Sequence, residues 1–251
     1  MCWISGACIL ASGLSLLALA QSSDHPKPPA QDDCAHISRL AVAQVASGES
    51  GEGHENAARI LTQAVSRGED ACAGLVLTNV AAFLLASGRL AESERLAERA
   101  VHVLEKKYSR DDPALLRALH TLCSARLAQG KVGPARNSFK RIQRVPIELP
   151  EDRLLLHSVA APLLASQGQY ADAESEYLAA LKVLEQSDRL QTVSAATMLQ
   201  GLAFVHIRQQ RFEDARQEID RAAAIFQANK ETVAADQVKI FRDRSGRWAV
   251  L

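Results

Sequence analysis

The sequence predicts an all-α protein, a solenoid of about five stacked antiparallel helical hairpins followed by a C-terminal capping helix. Three observations lead to this prediction. Apolar residues make up 47% of the chain and aromatic residues only 4%, which suits closely approaching helices better than strands. A glycine-centred pattern recurs along the chain. Residues that start or stop helices stand between its copies.

The recurring pattern is clearest in "LLASGRLAESERLAERAVHVLE" (84–105) and "LASQGQYADAESEYLAALKVLE" (164–185), and a fainter copy lies at 54–65. Its anchors, at steps of 42, 38 and 42 residues, are Gly88, Gly130, Gly168 and Gln210. Seven positions before the anchors lie the small residues Ala81, Cys123, Ala161 and Ala203. Two positions after them lie Leu90, Val132, Tyr170 and Phe212. Five positions after them lie Ser93, Ala135, Ala173 and Ala215.

These offsets place the small and bulky side chains of each copy on one helical stripe. Small residues are needed where two helices cross and their backbones approach. The anchor glycine ends the first helix in a left-handed conformation, which glycine adopts without a steric penalty. One such hairpin cannot bury both of its faces, so neighbouring hairpins stack and share a core.

Helix boundaries agree with this division. Asp112 is the predicted N-cap of a helix with Pro113 in its first position, and Pro150 starts the next hairpin in the same way. Pro146 ends the preceding helix early, which explains the shorter step of 38 residues.

The small residues, the turn glycines and the pair Ala173 and Ala180 resemble the tetratricopeptide repeat, over residues 34–228. The long spacing is similar to that of the kinesin light chain subgroup. Three positions depart from the family pattern, namely Gln210, Ser93 and Arg126. The resemblance implies a right-handed superhelix whose concave groove is lined by the first helix of each hairpin.

The resemblance also implies a function, which is a non-catalytic scaffold or adaptor that binds a protein or peptide in this groove. The arginines among the groove residues favour an acidic partner. The candidate residues are Arg117, His120, Ser124, Ser158, Gln200, Phe204 and Arg208. Two alternatives stay open: any soluble groove carries polar residues, and the solenoid ends or convex face could instead serve self-association.

Four segments are predicted along the chain. Residues 1–20 are uncharged and apolar and end in an A-x-A-like site, which predicts a signal peptide and a secreted or periplasmic protein without membrane attachment. An uncleaved membrane anchor is the alternative. Residues 21–33 predict a disordered tether, 34–228 the repeat domain, and 229–251 a capping helix and tail.

The cysteines fit an exported protein. Cys34 and Cys72 each lie near the start of the first helix of neighbouring hairpins, so a disulfide between them is one prediction and free thiols are the alternative. Cys123 occupies a small-residue position, which predicts a buried thiol.

Several other functions are disfavoured by the sequence. Equal numbers of basic and acidic residues, 29 each, argue against nucleic-acid binding. The "GESGEG" segment (48–53) matches neither a nucleophile elbow nor a phosphate loop. The histidines lack metal-ligand spacing, so no cofactor or metal is predicted. The charged run that includes Glu92, Glu94, Arg95, Glu98 and Arg99 predicts a solvated helix face.

Overall fold

The computed structural model describes residues 34, 38–43, 45 and 70–231, and this part of the chain is helical without strands. Residues 34, 38–43 and 45 are helical. The later helices are α1 (Asp70–Ala86), α2 (Leu90–Leu104), α3 (Leu116–Ala128), α4 (Val132–Ile142), α5 (Pro150–Ser166), α6 (Tyr170–Gln186), α7 (Val193–Arg208) and α8 (Phe212–Ala228). A 3-10 turn, Pro113–Leu115, precedes α3. The predicted all-α solenoid is confirmed.

The helices pack as consecutive hairpins, α1 with α2, α3 with α4, α5 with α6 and α7 with α8. We call the first helix of each hairpin the A helix and the second the B helix. Each A helix also packs against the A helix of the next hairpin, whereas the B helices of residues 70–231 make no comparable contact with one another. The A helices therefore form one continuous layer and the B helices a second. The resemblance to the tetratricopeptide repeat implies that the A helices are the inner layer and the B helices the outer one.

The small residues meet at the predicted helix crossings. None of the eight residues seven positions before or five positions after an anchor is more than 1% exposed. In the first hairpin the Ser93 hydroxyl donates to the Ala81 carbonyl at 2.8 Å. In the second, the Cys123 thiol lies 3.4 Å from the Ala135 carbonyl oxygen. Burial raises the pKa of Cys123 to about 12, and the prediction of a buried thiol is confirmed.

Each A helix ends in a left-handed residue at its anchor. The φ angles are 76° at Gly88, 71° at Gly130, 78° at Gly168 and 63° at Gln210. At the second hairpin the Gly130 amide donates to the Leu127 carbonyl and the Lys131 amide to the Arg126 carbonyl, both at 2.9 Å. These two hydrogen bonds close a Schellman turn. The turn at Gln210 has the same geometry, although its side chain makes that conformation more costly.

The predicted boundary residues act as expected. A carboxylate oxygen of Asp112 accepts a hydrogen bond from the Ala114 amide at 2.8 Å, which caps the 3-10 turn that leads into α3. Pro150 is the first residue of α5. Helix α4 has only 11 residues and ends at Ile142, ahead of Pro146. The early end of α4 accounts for the shortened repeat.

The predicted signal peptide and tether lie outside the described residues, except that the tether borders Cys34. The predicted capping helix and tail lie outside them too, apart from their first residues. Among the helices that the structure describes, none is both long and apolar enough to cross a membrane.

Two glycine substitutions separate backbone conformation from packing. Apart from the adjacent residues, a methyl group added at Gly130 or at Gly133 meets no atom within 4 Å. Gly130 is left-handed, so Gly130→Ala is expected to lower the free energy of unfolding by about 1 kcal/mol. Gly133 is not left-handed, so Gly133→Ala lacks this penalty, and its gain in helix propensity is offset by the contact of the new Cβ with the Pro134 ring. It is therefore expected to change the free energy of unfolding less than Gly130→Ala does. Urea unfolding followed by circular dichroism measures both, and an equal loss in the two variants would contradict the assigned turn.

Candidate functional site

The predicted groove residues fall into two groups on the A helices. One group lies on α3 and α5 and is joined by a hydrogen bond of 2.9 Å between His120 Nε2 and Ser158 Oγ. The other lies on α7. His120, Ser124 and Gln200 are 3%, 6% and 4% exposed. These three residues therefore lie between packed helices, behind the surface that a ligand would meet.

The hydrogen bonds around His120 fix its protonation. Ser158 donates its hydroxyl proton to the Leu155 carbonyl at 2.9 Å, so it accepts from the Nε2–H of His120. His120 Nδ1 then carries a buried lone pair, which has no hydrogen-bond partner in the described part of the chain. Burial, aided by the charge of Arg117, lowers the pKa of His120 to about 4.

Arg117 lies beside His120 and is half-buried. Its guanidinium reaches Asn79 Oδ1 on α1 at 3.4 Å, a long hydrogen bond. Asn79 in turn donates to Ser38 at 2.6 Å. Burial lowers the pKa of the Arg117 guanidinium. Within residues 70–231 no carboxylate forms an ion pair with it, so its charge lacks a described counter-ion.

The α7 group is more open. Phe204 is partly buried against the third hairpin. Arg208 is exposed at the end of α7, and its guanidinium lies 5.3 Å from the centre of the Tyr170 ring. No described contact links this group to Arg117, so the structure presents the predicted residues as two separate parts of the inner layer.

A disulfide lies near the N-terminal end of the described chain. Cys34 and Cys72 form a disulfide with Cα atoms 5.4 Å apart. The two residues are 6% and 5% exposed, within the core that continues into α1. A bond there ties the first described helical residues to α1.

Sequence reasoning missed a polar cluster between the first two hairpins, centred on Glu94 of α2. Glu94 accepts hydrogen bonds from Arg126 at 3.0 Å, Gln129 at 2.8 Å and Lys131 at 2.6 Å. Arg126 also bonds Glu98. Burial raises the pKa of Glu94, but the hydrogen bonds outweigh it and hold the pKa below its usual value. The predicted solvated face is confirmed for Arg95, Glu98 and Arg99, which are exposed, but the prediction was wrong for Glu94.

The same cluster recurs between the last two hairpins, where Glu174 of α6 occupies the position of Glu94. Glu174 accepts from Gln209 at 2.9 Å and from Arg211 at 2.7 Å, and His206 Nε2 lies 3.1 Å away. The other ring nitrogen of His206 lies 2.8 Å from Glu218. Burial opposes ionisation of Glu174, but these hydrogen bonds prevail and lower its pKa to about 2.

The middle junction uses the same positions with opposite chemistry. Arg136 of α4 takes the place of the glutamate and donates to the Gln167 side-chain oxygen at 3.1 Å. The glutamine just before each of the last three anchors thus donates its amide to a carboxylate or accepts from a guanidinium. These contacts could have been predicted from one feature of the sequence. A charged residue lies six positions after an anchor, and a glutamine lies one position before the next anchor, at all three junctions.

The described residues contain no cluster of histidine, cysteine or carboxylate side chains arranged to hold a metal ion. Polar side chains link neighbouring hairpins at each junction of residues 70–231, as is typical of a stacked α-solenoid. This places the chain in the class of helical-repeat proteins.

Comparison with known proteins identifies the repeat. The tetratricopeptide repeat family model matches residues 75–114. Two crystal structures of nearly identical TPR-like repeats, from a Podosopora anserina protein assigned to the kinesin light chains, share the fold. The first has a TM-score of 0.55 at 18% identity and covers 82% of this chain and 100% of its own. The second has a TM-score of 0.50 at 19% identity, with coverages of 83% and 99%.

Among curated proteins, none matches this sequence significantly. Residues 75–114 therefore match a tetratricopeptide repeat, and the chain as a whole shares the fold of the kinesin light chain-like repeat structures. This fold generally mediates protein–protein interaction and is typically a non-catalytic scaffold.

The buried imidazole makes stability depend on pH. The unfolded chain takes up a proton on His120 as the pH falls through about 6.5, but the native chain does so only near 4. The free energy of unfolding should therefore fall by about 2 kcal/mol between pH 7 and pH 5 from this group. Urea unfolding at both pH values measures it.

A pair of variants tests this assignment. His120→Gln, which retains a donor for Ser158, should remove most of the loss of stability. His102→Gln, an exposed site, leaves the buried imidazole in place and should show the full loss. Equal pH dependence in the wild type and in His120→Gln would contradict the assignment.

Proposed function

We propose that the protein is an exported, non-catalytic scaffold that binds an acidic segment of a partner protein along the inner faces of its A helices. The tetratricopeptide fold supports the general class. The choice of an acidic ligand rests on one residue, Arg117. Neither a nucleic acid nor a membrane is required for this role.

Arg117 supports the proposal because its charge is half-buried without a described carboxylate partner. Burying a charge costs free energy unless an opposite charge or several hydrogen bonds offset it. The inter-hairpin cations Arg126, Lys131 and Arg211 each have a carboxylate within 3.0 Å. A carboxylate of the partner at Arg117 would complete the same pairing on the inner wall.

The remaining inner residues suit an extended peptide. Phe204 offers an apolar contact and Arg208 an exposed guanidinium on α7. Ser158 on α5 already donates its proton to the Leu155 carbonyl, so it can only accept a hydrogen bond from a ligand. Guanidinium groups bind carboxylates of a peptide, and apolar contacts take alternate side chains. His120, Ser124 and Gln200 support these residues from behind.

Two features support export. Residues 1–20 have the composition of a signal peptide. The Cys34–Cys72 disulfide suits an oxidising compartment, where such bonds persist. Fractionation of cells that express the natural gene, followed by N-terminal sequencing of the mature protein, tests the proposal. A cytosolic protein with an intact N-terminus would contradict it.

Charge reversal tests the groove. A partner is first captured from the native exported fraction with the wild-type chain, identified by mass spectrometry and purified. Arg117→Glu with Arg208→Glu is then expected to weaken its binding at least about tenfold, with helical circular dichroism unchanged. The matched control is Arg216→Glu with Arg221→Glu on α8, which keeps the same net charge and should bind normally.

Unchanged affinity in the groove variant would overturn the proposal. Light scattering on the purified protein addresses the self-association alternative. A monomer at all concentrations supports binding of another protein, whereas concentration-dependent oligomers that the groove substitutions leave intact would favour self-association.

A further inference from the structure

The second hairpin concentrates positive charge in a chain whose net charge is zero. Residues 113–147 contain no Asp or Glu. They do contain seven basic residues, Arg117, Arg126, Lys131, Arg136, Lys140, Arg141 and Arg144. The other hairpins mix both signs. The fold pairs some of these charges with carboxylates and leaves others without a described partner.

The carboxylates of α2, together with Glu105 directly after its last residue, pair with the basic residues that face the first hairpin. Glu94 pairs with Arg126 and Lys131, at 3.0 and 2.6 Å. Glu105 pairs with Arg141 at 2.5 Å. Glu98 pairs with Arg126 as well. The remaining α2 carboxylate, Glu92, pairs with Arg89 at 2.7 Å.

This pairing leaves an excess of positive charge on the outer side of α2 and α4. Since each carboxylate of α2 is engaged, its outward basic residues lack a described partner, and so do those at the end of α4. We call this set the outer basic patch; it consists of Arg95, Arg99, Lys106, Lys140 and Arg144, all exposed. The Arg141–Glu105 pair brings the C-terminal ends of α2 and α4 together, so Lys106 and Lys140, which are next to this pair in the sequence, lie close to the same point.

The patch is confined to the first two hairpins. At corresponding outward positions the later B helices carry mostly uncharged residues, namely Ser175, Ala179, Gln217 and Ala224, with one basic residue each. The patch is therefore a local feature of the sequence rather than a general property of the outer surface. Salt bridges between hairpins do not require it, because its members take no part in them.

We infer that the outer basic patch is a second docking surface, which binds an acidic segment of a partner protein on the convex side. Three of its five members are arginines, whose planar guanidinium matches carboxylates in a two-pronged geometry. A lipid surface fits less well: the exposed large apolar residues of the described chain are Leu40 and Leu178, both outside the patch. Stable membrane attachment by basic residues needs such an additional anchor.

The test uses the full chain and a fluorescein-labelled deca-glutamate peptide, with deca-glutamine as the neutral probe. The wild type should bind deca-glutamate, with affinity falling as salt rises from about 50 to about 300 mM. It should not bind deca-glutamine. In the variant Arg99→Glu/Lys140→Glu/Arg144→Glu, the Kd for deca-glutamate should rise about tenfold or more. Fluorescence anisotropy measures each Kd.

A matched variant controls for net charge. Lys182→Glu/Arg216→Glu/Arg221→Glu makes the same change in charge at exposed positions of α6 and α8, and it should bind deca-glutamate like the wild type. Equal weakening in both triple variants would overturn the inference, since it would show a response to net charge alone.

Two further measurements separate this surface from other possibilities. Arg117→Glu should leave deca-glutamate binding to the patch largely intact, so failure of the groove proposal and failure of this one are distinguishable. Co-sedimentation uses phosphatidylcholine vesicles with about 30 mol % phosphatidylglycerol. Vesicle binding that the patch variant abolishes, without deca-glutamate binding by the wild type, would assign the patch to a membrane and overturn the inference.

Discussion

The solenoid depends on the close approach of two helix backbones at the crossing within each hairpin. Only residues the size of alanine, serine or cysteine fit there, seven positions before and five positions after each anchor. Such small side chains bury little apolar area, so one hairpin gains too little free energy to fold alone. Stability has to come from stacking, because the next A helix packs against both helices of the preceding hairpin and supplies the missing contacts. The crossing thus sets both the hairpin geometry and the need for a repeat array.

Apolar stacking alone leaves the relative position of two hairpins loosely defined, and the polar contacts between them restrict it. At all three junctions within residues 70–231, a residue six positions after one anchor contacts the glutamine just before the next anchor. A mismatched junction would place Arg136 against Arg211, or leave Glu94 without donors in a partly buried position. Unfavourable pairings of this kind discriminate between correct and incorrect stacking. The ion pairs therefore contribute more to the order of the hairpins than to total stability.

Most of the fold could be predicted from sequence because its determinants act within one hairpin. The left-handed turn at Gly130, the start of α5 at Pro150 and the small residues at the crossings each follow from local chemistry. Contacts between hairpins could not be predicted in the same way. The pattern of a single helix places Glu94 on the polar face and does not show that this face meets the next hairpin. The burial of His120 and Gln200 was equally hidden. It results from contact between successive A helices, and a single repeat contains no information about that spacing.

Net charge is a poor guide to the surfaces of such an array. A net charge of zero means that the whole protein exerts little long-range attraction on a charged partner. At physiological salt, however, charges in solution are screened over about 8 Å. A ligand in contact with one hairpin therefore responds to that hairpin alone. Because residues 113–147 carry seven positive charges, the rest of the chain must carry an excess of seven negative ones. The fold uses part of this imbalance in pairs such as Arg141 with Glu105. The charge left over lies at Arg117 on one side and at Lys140 on the other, so this one hairpin carries positive charge without a described carboxylate partner on two faces.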